Sequence, residues 1–339
     1  MIERKKLLII GPAPQNVGGV SMHIRRLSDA IADKADIDYI DEGRKRWPGI
    51  FNLRSLNLFE YSKKMARADI VHIHSVPFVL RLFNMTMARL FFKKPIVTIH
   101  FNPTVQTHPK MKRAALTLAS KVIAVNNTGY EFLKKGHKAD KYFHMPAFLP
   151  PAMDKEPALD PETQTAINNI KAKGGKIAVS NAWHLVDRGG EELYGFDLCI
   201  EALKQLKKEN ENIYIIFVVA EPEGCLEMWQ RLSARVREDD VADRMVVIGH
   251  PVSFVKLAEQ ADMVIRATKA DGDALTVREA LWLGKPCIAS DAIERPEGTV
   301  VFKSRDAGAL ATALKRASQC AAKHVEFNPI QFYTSLYGI

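Results

Sequence analysis

The sequence predicts an α/β protein with two Rossmann-like domains, each a parallel sheet covered by helices. Short β-branched runs alternate with amphipathic segments along the chain, which is typical of parallel sheets with helical crossovers. The alternation occurs in two series, and the proline-rich stretch 145–161 lies between them. We therefore expect an N-terminal domain over residues 1–150 and a C-terminal domain over residues 151–324.

The predicted strands are runs of β-branched and other apolar residues. In the N-terminal half they are 7–10, 37–40, 70–74, 96–100 and 122–125. In the C-terminal half they are 177–179, 213–220, 245–248, 263–265 and 287–289. A length of 339 residues and an apolar content of 47% supply enough apolar side chains for two cores of ordinary size.

The composition shows neither a leader nor a membrane span. Nowhere do about eighteen apolar residues run together, so we expect no signal peptide and no transmembrane helix. The four cysteines lie far apart and form no C-x-x-C pair, which argues against the common zinc and redox motifs. These observations predict a cytoplasmic protein with reduced cysteines and no metal.

Positive charge is concentrated in the N-terminal half. Residues 1–150 hold 25 Lys and Arg against 11 Asp and Glu, a net charge of +14, whereas the remainder carries −5. Such an asymmetry indicates an anionic partner, whether nucleic acid, a membrane surface or a phosphorylated acceptor. No nucleic-acid module is recognisable, so nucleic acid is the weakest of the three candidates.

Two segments of this half mix Phe, Leu and Met with Lys and Arg. They are 51–67 and 78–94, and such a mixture is typical of helices that lie at a membrane interface. The alternative is that their apolar faces simply cover the sheet. We predict that the N-terminal domain binds an anionic membrane surface and that the protein binds no nucleic acid.

Residues 264–297 have the pattern of a strand, a loop, a helix and a second strand. A polar turn precedes the helix, and Gly284 stands where a glycine commonly ends one. The helix therefore begins at the carboxyl ends of the strands, where free N–H groups favour anions such as a diphosphate. The carboxylates of Asp271 and Glu279 suit a hydroxyl-rich ligand. In the alternative, Thr276 and Glu279 form a capping box, and the glutamate binds only a backbone N–H.

Residues 271–280 are DGDALTVREA, and residues 284–291 are GKPCIASD. Together they resemble the signature of glycosyltransferase family 4, E-G-F-G-x-x-x-x-E-A followed by G-K-P-V-I-A-x-D. Its members are retaining enzymes of the GT-B fold, in which two Rossmann-like domains face a central cleft. The resemblance implies that Asp271 holds hydroxyls of the donor sugar and that Glu279 binds the nucleotide ribose. It also implies that four neighbours line the nucleotide-sugar site, namely Gly272, Asp273, Ala274 and Leu275.

Weaker resemblances occur in the N-terminal half. Gly18 and Gly19 follow the first strand. They resemble the G-G-hydrophobic loop that family members carry in this place, near the donor phosphate and the acceptor. The alternative is a plain tight turn. His100 ends a strand in a T-x-H pattern that the family places near the donor sugar, so we expect it to orient or contact the sugar. His72 and His74 share one side of their strand, where structural histidines are more common than metal ligands.

One departure from the family concerns the donor diphosphate. Family members follow the first strand of the second domain with G-R and later K-G, whose two cations grip the diphosphate. Here that strand ends in SNAW at 180–183, and Tyr194 takes the place of the lysine. A departing diphosphate needs preorganised cations, so other residues must supply them. The candidates are Arg188, Arg266 and Lys269, with solvent exposure as the alternative for each.

The resemblance implies a retaining glycosyltransferase that moves a sugar from a nucleotide-diphosphate donor to a glycan or lipid-linked acceptor, with no metal or other cofactor. His100, Asp271 and Glu279 are its predicted catalytic residues. The implied setting is the synthesis of bacterial surface polysaccharide, such as lipopolysaccharide, by a cytoplasmic enzyme peripheral to the inner face of the plasma membrane. Residues 325–339 resemble the family's terminal helix, which packs back on the first domain. Two alternatives stay open: a non-catalytic GT-B scaffold that binds a glycan or a partner enzyme, and a nucleotide-sugar epimerase on the same fold.

Overall fold

The computed structural model describes residues 4–16, 18–101, 104, 106–136, 139–320 and 324–339. The chain forms two compact units. Unit 1 comprises Met1–Leu149 together with Asn328–Ile339, and unit 2 comprises Pro150–Phe327. Each unit has its own sheet and its own apolar core.

Unit 1 is built on a seven-stranded parallel sheet. Its strands are β1 (Lys5–Gly11), β2 (Ala35–Asp41), β3 (Phe51–Asn52), β4 (Ile70–Ile73), β5 (Ile96–Ile99), β6 (Lys121–Ala124) and β7 (Tyr142–His144). They lie in the order β3-β2-β1-β4-β5-β6-β7. The chain runs from β1 outward to β3 and returns to the other side of β1 with β4. The carboxyl ends of β1 and β4 therefore form a topological switch point, where open parallel sheets bind ligands.

Helices cover both faces of this sheet. They are α1 (Gly19–Ile31), α2 (Leu58–Arg67), α3 (Phe78–Leu90), α4 (Pro109–Ala115), α5 (Asn127–Lys134) and α12 (Ile330–Tyr337). Successive residues of β1 point to opposite faces, so Leu8 and Ile10 join one apolar cluster while Leu7 and Ile9 join the other. Burial on both faces explains why β1 is a continuous apolar run rather than an alternating one. The last helix, α12, contributes the fully buried Tyr333 to the second cluster.

Unit 2 is built on a six-stranded parallel sheet in the order β10-β9-β8-β11-β12-β13. Its strands are β8 (Lys176–Ala182), β9 (Ile213–Val219), β10 (Met245–Ile248), β11 (Met263–Arg266), β12 (Cys287–Ser290) and β13 (Val300–Phe302). Its helices are α6 (Pro161–Ala172), α7 (Phe196–Lys208), α8 (Leu226–Glu238), α9 (Phe254–Gln260), α10 (Leu275–Trp282) and α11 (Ala307–Ser318). The switch point of this sheet lies between β8 and β11.

The predicted pair of parallel sheets covered by helices is confirmed, and all ten predicted strands are present, with ends that differ by a few residues. Three short strands at or beside the sheet edges were not predicted, namely β3, β7 and β13. They have two or three residues each, too few to show a periodic pattern.

The first of the two basic, apolar segments, 51–67, is helical in its second half only. It forms β3, then a short 3-10 turn, and then α2 from Leu58 onward. Helix α2 buries Tyr61 and Met65, whereas Leu58 and Phe59 on its first turn are 62% and 78% exposed. One face of the helix therefore covers the sheet, and its start leaves apolar side chains at the surface. Within the described ranges, no helix has the length and apolar character needed to cross a membrane.

Candidate functional site

The carboxyl edge of unit 2 gathers most of the predicted site residues. Strands β8, β11 and β12 end there, and the loop after β11 leads into α10, which begins at Leu275. Gly284 follows the last turn of α10 with a φ of 67°, the left-handed conformation that glycine adopts readily, so it ends the helix as predicted. The first turn of α10 is thereby fixed at the switch point of the sheet.

The start of α10 offers free backbone donors. Its N-cap residue is Ala274, whose side chain cannot accept a hydrogen bond, and the N–H groups of Ala274, Leu275 and Thr276 have no partner in the described parts of the chain. The alternative of a capping box is wrong, because Thr276 lies inside the helix and its hydroxyl donates to Asn181 Oδ1 at 3.2 Å. These N–H groups and the positive end of the helix dipole favour an anion.

A charged cluster lies beside this helix start. The Asp271 carboxylate accepts from Arg266 Nε at 2.9 Å and from Arg295 Nη1 at 3.3 Å. Arg295 also donates to the hydroxyls of Thr268 and Ser290, at 3.3 and 3.1 Å. Two guanidinium groups thus share one carboxylate, so the cluster carries one positive charge in excess.

The members of this cluster are buried to different extents. The side chain of Arg295 is 2% exposed, whereas those of Asp271 and Arg266 are 10% and 14% exposed. Burial alone raises the pKa of Asp271, but the two guanidinium groups outweigh it and hold this pKa below its usual value. Asp271 is therefore ionised at neutral pH. Arg295 supports it from within the core, and Arg266 is the guanidinium closer to the surface.

The stretch that departs from the family signature is also ordered around this cluster. Tyr194 lies under Arg266, whose guanidinium carbon is 5.3 Å from the centre of the ring. The buried carboxylate of Glu192 accepts from the backbone N–H groups of Tyr194 and Phe196, both at 2.9 Å, and so holds the turn before α7. Gly195 is required in this turn, because a Cβ there would lie 2.5 Å from the Cβ of Ala267.

The three predicted phosphate-binding cations have different surroundings. Arg266 belongs to the cluster. Lys269 instead pairs with the carboxylate of Glu191 and donates to the backbone carbonyl of Arg188 at 2.9 Å. The Arg188 side chain is exposed and forms no ion pair within the described ranges. Arg295 was not predicted, because only the tertiary structure shows that this isolated arginine after the motif is buried.

The remaining predicted residues of unit 2 lie on or next to α10. Glu279 is on the helix and 6% exposed. The carboxylate of Asp273 accepts from Arg278 Nε at 2.8 Å, an ion pair that ties the loop to the helix. The N–H of Gly272 donates to Asp271 Oδ1 at 3.1 Å. The structure therefore brings Asp271, Gly272 and the helix start together, whereas Asp273 is engaged by its own helix.

At the carboxyl edge of unit 1, the chain passes from β1 into α1 through two glycines. Gly18 is the N-cap residue of α1 with a φ of 133° and offers no side chain to the helix start, and Gly19 is its first residue. A side chain at position 18 would be strained by this backbone conformation. Both glycines thus leave the N–H groups at the start of α1 uncovered by side chains of their own.

Next to this loop lies a group of buried histidines. His72 contacts the hydroxyls of Tyr337 and Thr98 through its two nitrogens, at 2.6 and 2.8 Å, which fits the structural role expected of it. His74 Nδ1 and His100 Nε2 are 3.0 Å apart. Burial holds the pKa values of all three imidazoles well below their usual value, so they are neutral. His100 is 9% exposed, and no group of metal-ligating side chains is found among the described residues.

Comparison with known proteins shows similarity to glycosyltransferases. Residues 187–319 match the family described as glycosyl transferases group 1. Trehalose synthase of Pyrococcus horikoshii is 27% identical over 184 residues, which are 48% of this chain and 44% of that protein. The chain therefore spans less than half the length of this curated relative.

Solved structures share the fold over most of the chain. Anabaena HepE, in complex with UDP and glucose, has a TM-score of 0.70 and 14% identity, over 99% of this chain and 100% of that one. Sucrose-phosphate synthase from Thermosynechococcus elongatus has a TM-score of 0.68 and 16% identity, over 99% and 100%. A glycosyltransferase from Rickettsia africae has a TM-score of 0.70 and 16% identity, over 93% and 88%.

These comparisons bear on the predicted fold and on the predicted family. The GT-B fold is confirmed, whereas the finer assignment to family 4 stays a prediction. The match to the family described as glycosyl transferases group 1 covers residues 187–319, which lie in unit 2.

Proposed function

We propose that the protein is a retaining glycosyltransferase that moves a sugar from a nucleotide-diphosphate donor to a glycan or lipid-linked acceptor. The observation that carries this proposal is the Arg266–Asp271–Arg295 cluster beside the free N–H groups of α10. Both features favour an anion at the switch point of unit 2, and a nucleoside diphosphate is the anion that a glycosyltransferase of this family releases.

The cluster supplies what the missing arginine and lysine of the family signature would otherwise supply. A departing diphosphate gains negative charge, and donors fixed in advance at that position lower the barrier. In the proposal, Arg266 binds the phosphates together with the N–H groups of Ala274 and Leu275, and Arg295 holds Asp271 from behind. These groups supply the positive charge that a metal ion would supply in other enzymes. We therefore expect the chelator EDTA to leave the rate of sugar transfer unchanged.

The other predicted residues keep their roles as part of this proposal. Glu279 binds the ribose, and Asp271 contacts sugar hydroxyls in addition to orienting Arg266. His100, a neutral imidazole, orients the sugar by a hydrogen bond. Gly18 and Gly19 leave backbone N–H groups open to the donor phosphate or the acceptor. The relatives support a nucleotide-sugar donor, because HepE was solved with UDP and glucose, and uridine is therefore the first base to test.

The donor site can be tested by thermal stability and calorimetry with UDP, GDP, ADP and CMP. A ligand that binds only the folded protein raises its melting temperature. We expect one nucleoside diphosphate to stabilise the wild type and to lose this effect in Arg266→Met and in Glu279→Ala. Arg237→Met is the matched control, because Arg237 is an exposed arginine on α8.

Failure of every nucleotide to bind would favour the non-catalytic scaffold. Product formed from the donor without any acceptor would indicate the epimerase.

We also propose that unit 1 binds the inner face of a bacterial plasma membrane, where lipid-linked acceptors for surface polysaccharide are made. This is supported by the net charge of +14 over residues 1–150 and by three exposed apolar side chains at the start of α2, Leu56, Leu58 and Phe59. We expect the protein to sediment with vesicles containing phosphatidylglycerol, and less so with neutral vesicles. Phe59→Ser should weaken this binding, whereas Leu226→Ser, at an exposed leucine of unit 2, should not.

A further inference from the structure

Arg81 is a buried arginine of unit 1. It lies on the first turn of α3 and is 5% exposed. Its guanidinium forms no hydrogen bond or ion pair with any residue that the structure describes. A guanidinium has five N–H donors and stays charged in proteins, and arginines as buried as this one are almost always paired.

Glu42, whose charge acts on Arg81, already binds other side chains. Its Oε1 accepts from Ser75 Oγ at 2.6 Å and from Asn84 Nδ2 at 2.7 Å, and Asn84 in turn accepts from the hydroxyl of Tyr61. Burial raises the pKa of Glu42 to about 7, so this carboxyl group is only partly ionised at neutral pH. Burial also lowers the pKa of Arg81, and Glu42 offsets this only in part.

Arg81 lies at the edge of the sheet where open parallel sheets bind ligands. Four residues separate the end of β4 from the start of α3, at the switch point of the unit 1 sheet. The charge of Arg81 also acts on His100 at the end of the neighbouring strand β5. The first three N–H groups of α3 have no partner among the described residues, and they favour an anion at the same edge.

We propose that Arg81 binds an oxyanion, either a phosphate or a carboxylate, on the acceptor. That this ligand is the acceptor rests on the proposed function, because unit 2 is assigned the donor. A planar guanidinium binds two oxygens of either group at once, and a protected site strengthens such charge-assisted bonds. Glu42, Ser75 and Asn84 would then line the site next to this anion.

The first test separates a binding arginine from a structural one. Arg81→Met keeps the length of the side chain and removes a buried charge that forms no hydrogen bond or ion pair with the described residues. We expect its melting temperature in the absence of ligand to equal or exceed that of the wild type. Arg89→Met is the matched control, because Arg89 is an exposed arginine on the same helix. A clear loss of stability in Arg81→Met alone would assign Arg81 a structural role and overturn the proposal.

The second test measures binding of inorganic phosphate and of glucuronate by calorimetry, with glucose as the neutral control. It uses Arg266→Met protein, which lacks the proposed donor cation, so that binding reports on unit 1. We expect one of the two anions to bind, and Arg81→Met to weaken it by about ten- to a hundredfold while Arg89→Met does not. Preference for phosphate indicates a phosphorylated acceptor, and preference for glucuronate indicates an acidic sugar. Equal affinity with and without Arg81, or no binding of either anion, contradicts the proposal. Failure of the proposed function would appear separately, as loss of nucleoside diphosphate binding by the wild type.

Discussion

The two units present the same edge of the same kind of sheet, but the charges at these edges are handled differently. In unit 2, one buried and one partly buried arginine share one carboxylate, so permanent charges compensate one another and leave one positive charge in excess. In unit 1, the histidines are neutral, and Arg81 forms no hydrogen bond or ion pair with the residues that the structure describes. In the two proposals, the same kind of sheet edge therefore binds an anion by preorganised ion pairs in unit 2 and by a single guanidinium in unit 1.

The largest effect is expected when the paired charges of unit 2 are separated. Arg295→Met removes a buried guanidinium that donates to Asp271, Thr268 and Ser290, and breaking such a buried network typically costs about 3–5 kcal/mol. Unfolding in urea should show a loss of this size. The double variant Arg295→Met with Asp271→Asn should lose more, because Arg266 then has no carboxylate in the cluster to pair with. Equal stability of the two variants would contradict the pairing.

The next effect concerns catalysis at the same cluster. Removal of one preorganised donor to a developing anion commonly costs about a hundred- to a thousandfold in rate. We expect a loss of this size in the rate of sugar transfer by Arg266→Met, with the stability of the fold changed less than in Arg295→Met. The control is Arg237→Met, which should transfer sugar at the rate of the wild type. A fully active Arg266→Met would show that the excess charge is structural.

Acid should destabilise unit 1 through its neutral histidines. In the unfolded chain a histidine has a pKa near 6.5, whereas burial lowers the pKa of His23 in the folded chain to about 4. The unfolded state therefore binds protons first, so stability is complete above pH 6.5 and falls as the pH drops toward 4. His23 alone accounts for about 3 kcal/mol over this range. We expect His72→Phe to lower the slope of stability against pH by about 1.4 kcal/mol per pH unit.

Asp271 in unit 2 responds to pH in the opposite way. Its folded pKa lies below the unfolded value, so its contribution is present above the unfolded pKa and is lost only as the pH falls through the lower folded one. Between pH 7 and pH 5, Asp271→Asn should therefore leave the slope unchanged. The measurement is urea unfolding at a series of pH values.

The smallest effect is expected for a neutral hydrogen bond at the unit 2 edge. Thr276→Val removes the bond between the Thr276 hydroxyl and Asn181 Oδ1, which should cost about 1 kcal/mol in the free energy of unfolding. Thr312→Val, which removes an exposed hydroxyl on α11, is the control and should cost less. A loss as large as that of Arg295→Met would mean that Thr276 also supports the charged cluster.

Much of the fold follows from periodicity alone. The apolar runs of β1 and β9 predict strands buried on both faces, and the glycine at 284 and the polar turn at 271–273 place α10 correctly. The short strands escaped prediction, since two or three residues carry no period. The sequence also left the capping-box alternative for α10 open, because a threonine followed by a glutamate looks the same whether it caps a helix or lies inside one.

Local propensity and spacing are enough to predict where strands and helices form and that residues 264–297 surround the start of a helix. Which charges compensate one another is visible only once the chain is folded. Arg295 is separated from Asp271 by 24 positions, yet both are buried in one cluster, while Lys269, much closer in sequence, pairs with Glu191 instead. Arg81 looks like any surface arginine in the sequence, and its burial became visible only in the packed unit. The physical reason is that the cost of a buried charge depends on which groups the fold brings within a few ångströms of it, and sequence distance does not report this.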